Sequence, residues 1–345
     1  AKELLRVILD AECRSGSGCP TVILRLRDAR ELEGLGEWIH SAIRMRLPLT
    51  IVRDPERSSL LPVSPSLIVS DGMRGLGFLA CINLPAVFAL SDIGLEGIAR
   101  DIARGLISLY ADKRSNLGGR RLGGVRGGVS LLGAEAASAL YRGKRGAGAA
   151  LKTLEEFRRA LSDSVEDLGG EGLEILLSFT DIEAYSAMYR ATERKLKKGG
   201  RRELDFKEVS PLCPFSNSSG RKLREILDGC SRVWRALRAV PILCIRLADP
   251  VPPPEELERF LERAIAGGGI AISLSYDYTY CTYCGHVSSS FLPACPSCSS
   301  TRPSIGHYGR VLGDYIPLDS IPLEARREYC ARWKYSRREL LELAK

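Results

Sequence analysis

Several residue types and patterns are scarce in this 345-residue sequence, and each scarcity narrows the class of protein. The chain contains no glutamine and only three asparagines, while arginine outnumbers lysine, a composition typical of selection against heat-labile amides in thermophiles. It has no uninterrupted run of about 18 or more apolar residues, so we predict no membrane span. Its first residues lack the basic, apolar and small-residue pattern of a signal peptide, and we therefore expect a cytoplasmic protein.

Hydrophobic residues are abundant enough for a folded protein. They make up 45% of the chain against 27% charged residues, which excludes disorder as the main state. The net charge of +8 fits either a solvated surface or a polyanion partner. Basic doublets are interspersed with acids, as in ERKLKKGGRRELDFKE, which favours the solvated surface. The arginine- and glycine-rich segment 113–148 contains an apolar, helix-prone stretch, which favours glycine turns over an RNA-binding repeat.

Apolar runs and helical periodicities alternate along the chain, and this alternation predicts an α/β fold. Strands are predicted within 21–28, 47–55, 65–90, 240–249 and 269–280, with a glycine-rich turn inside 65–90. Helices are predicted within 29–46, 94–111, 151–168, 171–179, 181–198, 221–239 and 250–268.

The eleven cysteines argue against a secreted disulfide scaffold, because the chain is long and shows no signal peptide. Two C-x-x-C pairs are separated by ten residues, and their members are Cys281, Cys284, Cys295 and Cys298. Each pair lets two thiolates converge from a tight turn, and the glycine and proline that follow Cys284 and Cys295 suit such turns. The pairing is symmetric, which favours a structural Zn²⁺ over an iron–sulfur cluster and predicts a zinc ribbon.

A closed four-cysteine site leaves no coordination position for a substrate, so we expect this zinc to be structural. His286 and His307 flank the ribbon and are expected to be surface residues rather than ligands. A zinc ribbon by itself does not name a function. Two classes remain open at this point, a ribbon protein that binds nucleic acid or ribosomes and an enzyme that carries a structural ribbon.

The segment after the cysteines contains Arg310, Val311 and Gly313, with Tyr315 two residues further on. This pattern resembles the C-terminus of anaerobic (class III) ribonucleoside-triphosphate reductases, where a four-cysteine zinc site precedes an R-V-x-G-Y loop and a charged helix. By that resemblance, Gly313 occupies the position of the radical-bearing glycine. Four earlier segments resemble family elements in the same order along the chain, namely LACINLPAVFAL, GGVSLLGAEAASALYRG, CPFSNSSG and SYDYTYCTYCG.

The resemblance implies a half-barrel related to the ten-stranded α/β barrel of glycyl radical enzymes, followed by the ribbon. It divides the chain into a barrel-like domain at 1–272, a zinc ribbon at 273–305, and a glycyl-radical-like loop with a C-terminal helix at 306–345. It also implies that a radical-SAM activase removes hydrogen from the glycine. The radical then passes to a cysteine, whose thiyl form acts on the 3′ hydrogen of a ribonucleotide.

Three features depart from the family pattern. The chain has no counterpart of the first half of a full reductase, Met73 occupies the expected place of the finger-loop cysteine, and Asp314 replaces an aromatic residue. A thioether has no hydrogen to give, so Met73 cannot form a thiyl radical. Cys81 is the nearest thiol and a weak thiyl candidate, although a small buried strand residue is its simplest interpretation.

The sequence therefore supports a reductase-like protein that is truncated, split or catalytically impaired, and it leaves open whether the chain is an enzyme. A separate chain that supplies the missing half and a radical-SAM activase are the expected partners. The alternative is a non-catalytic zinc-ribbon protein that binds RNA, the ribosome or another polyanion through a basic surface.

Overall fold

The structure is a computed structural model. It describes residues 22–53, 60–64, 67–70, 76–91, 93–116, 126–144, 146–170, 173, 175–178, 222–237, 240–248, 250–267, 271–311 and 315–344.

The strands are β1 (Val22–Leu26), β2 (Leu49–Arg53), β3 (Leu60–Ser64), β4 (Leu67–Ser70), β5 (Leu76–Asn83), β6 (Arg126–Leu132), β7 (Ile175–Ser178), β8 (Ile242–Leu247), β9 (Ala271–Tyr276), β10 (Tyr278–Cys281), β11 (Val287–Ser288), β12 (Ile305–Arg310), β13 (Tyr315–Pro317) and β14 (Lys334–Tyr335). The helices are α1 (Gly36–Arg44), α2 (Leu84–Leu90), α3 (Leu95–Asn116), α4 (Ala134–Arg142), α5 (Ala147–Asp167), α6 (Leu223–Leu237), α7 (Pro254–Ala266), α8 (Leu323–Ala331) and α9 (Arg337–Ala344). A 3-10 turn at Ala29–Leu32 precedes α1.

A five-stranded mixed sheet has the order β1-β2-β9-β8-β14. Its neighbours run parallel except for β2 and β9, which are antiparallel. Alternate residues of β8 and β9, among them Leu243, Ile245 and Leu274, enter the main apolar core together with Ile39 of α1 and Phe260 of α7. One face of this sheet is therefore covered by helices.

The other face of the same sheet is polar over part of its area and also carries the apolar residues Val52, Ile242 and Ala271. Arg246, Ser273 and Ser275 alternate with the core residues of β8 and β9, and Thr50 pairs in register with Ser273. All four of these side chains are buried. A buried polar face requires hydrogen-bonding partners, and the C-terminal part of the chain supplies several of them.

A second, three-stranded sheet has the order β5-β6-β7 and is entirely parallel. Its connections run through α2 and α3 and then through α4 and α5, as parallel pairing requires. Asn83 ends β5 and caps α2, because its Oδ1 accepts a hydrogen bond from the backbone N–H of Ala86 at 3.1 Å. The predicted α/β class is confirmed.

A four-stranded antiparallel sheet, in the order β11-β10-β12-β13, carries the cysteine cluster. Strand β10 follows β9 after a single residue, Asp277. A small apolar cluster joins Val311, Leu318 and Tyr329 of this C-terminal region to Ala136 of α4. The C-terminal region thereby contacts the unit built around the three-stranded sheet.

Two secondary-structure predictions were wrong. The segment 65–90 was predicted to end in a strand, but Leu84–Leu90 forms helix α2, which Asn83 caps and which has a proline in its first turn. The run 171–179 was predicted as helix, but Ile175–Ser178 forms strand β7, paired with β6. Periodicity cannot distinguish a helix from a buried strand in so short an apolar run, and the flanking glycines indicate a strand. The predicted helix 181–198 lies outside the described residues.

Some predictions about architecture remain predictions. The described strands lie in separate sheets, and neither closure of a barrel nor the division at 272 and 305 is tested. Within the described part of the chain, no helix has both the length and the apolar character needed to cross a bilayer.

Candidate functional site

The four predicted metal ligands converge. The Sγ atoms of Cys281, Cys284, Cys295 and Cys298 all lie within 4.8 Å of one another. Two of the distances are 3.7 Å, from Cys281 to Cys298, and 3.6 Å, from Cys284 to Cys295. In a regular tetrahedron with Zn–S bonds of about 2.3 Å, the sulfurs lie about 3.8 Å apart. The cluster therefore has the size of a tetrahedral thiolate site.

Both cysteine pairs use the same backbone turn. In the first, Gly285 N donates to Cys281 O at 2.9 Å, and Gly285 has a φ of 74°. In the second, Ser299 N donates to Cys295 O at 2.8 Å, and Ser299 has a φ of 59°. Only the left-handed position at Gly285 could be predicted from the sequence, because glycine often adopts that conformation and serine rarely does.

The electrostatics of the four thiols favour a bound cation. Hydrogen bonds with Ser300 lower the pKa of Cys298 to about 6. A backbone hydrogen bond at His286 lowers the pKa of Cys284, but burial and the three neighbouring thiols outweigh it and raise that pKa to about 12. Four adjacent thiolates repel one another, so full ionisation of the cluster requires a positive charge at its centre.

Neither histidine belongs to the cluster, which among the described residues consists of the four cysteines. His307 stacks on Phe291 at 4.9 Å, and its Nε2 lies 3.0 Å from Leu292 O. His286 lines a cleft beside β11. The expectation that both histidines are surplus to the metal site agrees with these positions.

The hairpin around Gly313 is anchored on both sides. Residues 312–314, which include Gly313 and Asp314, lie outside the described residues, but Arg310 and Tyr315 flank them and pair across β12 and β13. Tyr315 Oη accepts a hydrogen bond from the backbone N–H of Tyr276 at 3.1 Å. Burial raises the pKa of Tyr315, which keeps its phenol protonated.

Arg310 fixes the other side of the hairpin. Its side chain is only 2% exposed. Nη1 donates to Leu274 O at 3.0 Å and also to Leu49 O, and Nη2 donates to Thr50 Oγ1 at 2.8 Å. These bonds hold the hairpin against β2 and β9, on the buried polar face of the five-stranded sheet.

A second buried network secures the C-terminus to the same sheet. Asp277 is 2% exposed and accepts hydrogen bonds from Arg246 Nη2 at 2.5 Å and from Tyr329 Oη at 2.6 Å, and Lys334 Nζ lies 2.7 Å away. Arg246 Nη1 donates to Tyr329 O at 3.1 Å. This network was not predicted from the sequence. Its only indication there was that Arg246 and Asp277 are charged residues within or next to apolar strand segments.

The pKa shifts in this network follow from its contacts. Burial by itself raises the pKa of Asp277, but the hydrogen bonds and charge of Arg246, with help from Lys334 and Tyr329, lower it overall. Burial and the Asp277 charge raise the pKa of Tyr329 well above its usual value. Asp277 is therefore an anion and Tyr329 a neutral donor.

The residues expected to take part in radical chemistry are only partly placed. Cys81 lies in β5, opposite Ser130 of β6. Met73 and Gly313 lie outside the described residues. The assignments of Gly313 and Cys81 therefore stay predictions.

Comparison with known proteins identifies relatives by fold. No protein-family profile and no curated protein matches the sequence. Among solved structures, an anaerobic ribonucleotide reductase matches 97% of this chain and 58% of its own, with a TM-score of 0.68 and 14% identity. The chain shares the fold of anaerobic ribonucleotide reductase.

Two structures of the reductase from Thermotoga maritima extend this comparison. The form with glycerol in the active site covers 95% of this chain and 59% of its own, with a TM-score of 0.66 and 14% identity. The complex with dATP and CTP matches 95% of this chain and 58% of its own chain, with a TM-score of 0.61 and 14% identity. At such identity the likeness concerns the fold alone, and this chain spans less than two thirds of the reductases it matches.

Proposed function

We propose that this chain is a reductase-like protein of the anaerobic ribonucleotide reductase family, with Gly313 at the position of the radical. One observation carries the proposal: the fold matches over nearly the whole chain, and within it Arg310 and Tyr315 seat the predicted radical hairpin on the buried polar face of the sheet. A glycine radical needs shielding from water and oxidants, and of the two flanking residues Arg310 is buried and Tyr315 is partly buried. We place this function ahead of polyanion binding because the fold comparison supports it.

We further propose that the four cysteines hold a structural Zn²⁺. Zinc would supply the charge that lets four thiolates coexist, and the observed sulfur spacing fits its bond length. Because all four positions are taken by protein sulfur, the metal would stabilise the turns that precede the hairpin. The site leaves no coordination position for a nucleotide.

The partners follow from the length of the chain. The matched reductases are longer, with 58% of the first one covered, so a complete catalytic unit would need a further polypeptide segment or a separate chain. A radical-SAM activase would remove hydrogen from Gly313. The thiyl-forming cysteine would come from Cys81 or from the partner, because Met73 cannot serve. We propose a cytoplasmic location for this assembly.

Electron paramagnetic resonance under anaerobic conditions tests the radical assignment. The full chain, incubated with a class III activase and S-adenosylmethionine, should give a glycyl doublet that collapses when the protein contains α-deuterated glycine. Gly313→Ala should abolish the signal. Gly105→Ala is the matched control, because Gly105 is exposed on α3 and an added Cβ meets no atom within 4 Å. A metal-loaded, folded chain that stays silent would overturn the proposal.

A further inference from the structure

An open cleft of about 590 Å³ lies outside the proposed radical site. It is found where β8 and β9 end and β2 begins, between the end of α1 and strand β11 of the cysteine-bearing sheet. Arg44, Arg46, Tyr276 and Ser288 contribute to its walls. In open α/β sheets, ligands bind beyond the carboxyl ends of the strands, and this cleft has that position for β8 and β9.

The backbone at Arg46 is unusual. Helix α1 ends in a Schellman motif, in which Arg46 N donates to Ile43 O at 3.0 Å and Leu47 N donates to Ala42 O at 2.8 Å. The residue after the cap in this motif takes a left-handed conformation and is usually glycine. Here it is Arg46, with a φ of 62°. An arginine held in a conformation that suits glycine indicates that its side chain has a role beyond the helix end.

The guanidinium of Arg46 is held in place but is not neutralised. It stacks on the ring of Tyr278 at 4.6 Å from the centroid, and Nη1 donates to Arg44 O at 3.2 Å. Its Nε is buried without a hydrogen-bond partner. Within the described residues, no carboxylate forms an ion pair with Arg44 or Arg46.

Two histidines, His40 and His286, also line the cleft. Burial and the charge of Arg44 lower the pKa of His40, although Glu37 and Glu255 act in the opposite direction. The lowered pKa favours the neutral form of the His40 imidazole at pH 7, and the two arginines supply the permanent positive charge of the cleft. Two guanidiniums that line one cleft favour a dianion over a monoanion, and their planar forks match phosphate oxygens.

We propose that this cleft binds the phosphoryl group of a small molecule, held by Arg44 and Arg46 with the Ser288 hydroxyl as a further donor. The cleft is larger than a phosphate, so the rest of the ligand would lie along the apolar wall formed by Pro250 and Val251. This inference does not depend on the proposed reductase function, because it uses neither Gly313 nor the cysteines.

Calorimetric titration of the full chain with pyrophosphate tests the proposal, with succinate as a dicarboxylate probe. Pyrophosphate should bind and succinate should bind far more weakly. Arg46→Gly should weaken pyrophosphate binding at least about tenfold. It should leave the thermal midpoint unchanged or higher, because glycine suits the left-handed position. Loss of binding without loss of stability separates a ligand contact from a structural role.

Two further variants keep the test decisive. Arg44→Gln changes an exposed side chain and should weaken binding in the same way, even if Arg46→Gly lowers the midpoint. Arg338→Gln removes an equal charge from a side chain that is 89% exposed on α9, and it should bind like wild type. Tighter binding of ATP than of pyrophosphate would assign a nucleotide, and equal binding would assign the phosphoryl group alone. Absent pyrophosphate binding, equal succinate binding, or unchanged affinity in both cleft variants would overturn the proposal.

Discussion

The buried carboxylate of Asp277 should be the most sensitive single position for anchoring the C-terminus. Its side chain is 3% exposed, and that of Arg246 is 4% exposed. Asp277→Asn keeps the size and one acceptor oxygen but leaves Arg246 buried without its counter-charge. Breaking a buried ion pair by removing one partner costs about 3–5 kcal/mol. Lys334 is 43% exposed, so its contribution is screened and adds little.

Hydrogen exchange of the amides in β14 and α8 measures this cost locally. A loss of about 3 kcal/mol corresponds to exchange that is faster by about two orders of magnitude in these elements. Asp319→Asn is the matched control, because Asp319 pairs with Arg326 at 2.8 Å on the surface, where the side chains are 45% and 38% exposed. An exposed pair contributes about 0–1 kcal/mol, so this variant should exchange nearly like wild type.

The pH dependence of the same exchange has a defined sign. The pKa of Asp277 is lowered in the folded state, so its stabilising contribution is present above the unfolded pKa of about 3.9. That contribution is lost as the pH falls through the lower, folded pKa. Asp277→Asn should remove this part of the acid sensitivity. Equal exchange rates in Asp277→Asn and Asp319→Asn would refute the reasoning.

Two further predictions concern the metal and the packing under the hairpin. The purified chain should contain about one zinc ion, and a chelator or Cys295→Ser should make the region from Cys281 to Cys298 sensitive to protease; a metal-free chain with equal protease resistance would contradict the assignment. Gly309→Ala should lower the free energy of unfolding by about 1–3 kcal/mol in urea titration, because its Cβ would lie 2.4 Å from ring atoms of the buried Tyr329. Gly105→Ala, on an open helix surface, should be neutral or stabilising, and equal effects would contradict this packing argument.

The cysteine cluster was predictable because its information is local. Two short C-x-x-C turns contain their own ligands, and the turn geometry follows from nearby residues such as Gly285. The hairpin formed by β12 and β13 was indicated only through a motif that begins at Arg310. The partners of Arg310 lie in β2 and β9, and no periodicity in the sequence connects them to it.

Long-range polar contacts were the part that could not be predicted. In the sequence, Arg246 and Asp277 are single charged residues in two separate apolar segments. The pairing of β8 with β9 brings them together. The cleft at Arg46 was hidden for a related reason, because its walls come from distant segments and an arginine occupies the place where glycine would have marked a turn. Strand β7 was missed because four residues are too few to show a period.

The contacts of Arg310 also determine which substitutions in β2 and β9 the docking of the hairpin can tolerate. Two of its acceptors are main-chain carbonyls, of Leu49 and Leu274, and Tyr315 is met by a main-chain N–H. Every residue type offers the same carbonyl, so substitutions along β2 and β9 leave most of this docking interface intact. A chain with other residues in β2 and β9 could therefore hold the hairpin against the sheet through the same main-chain groups.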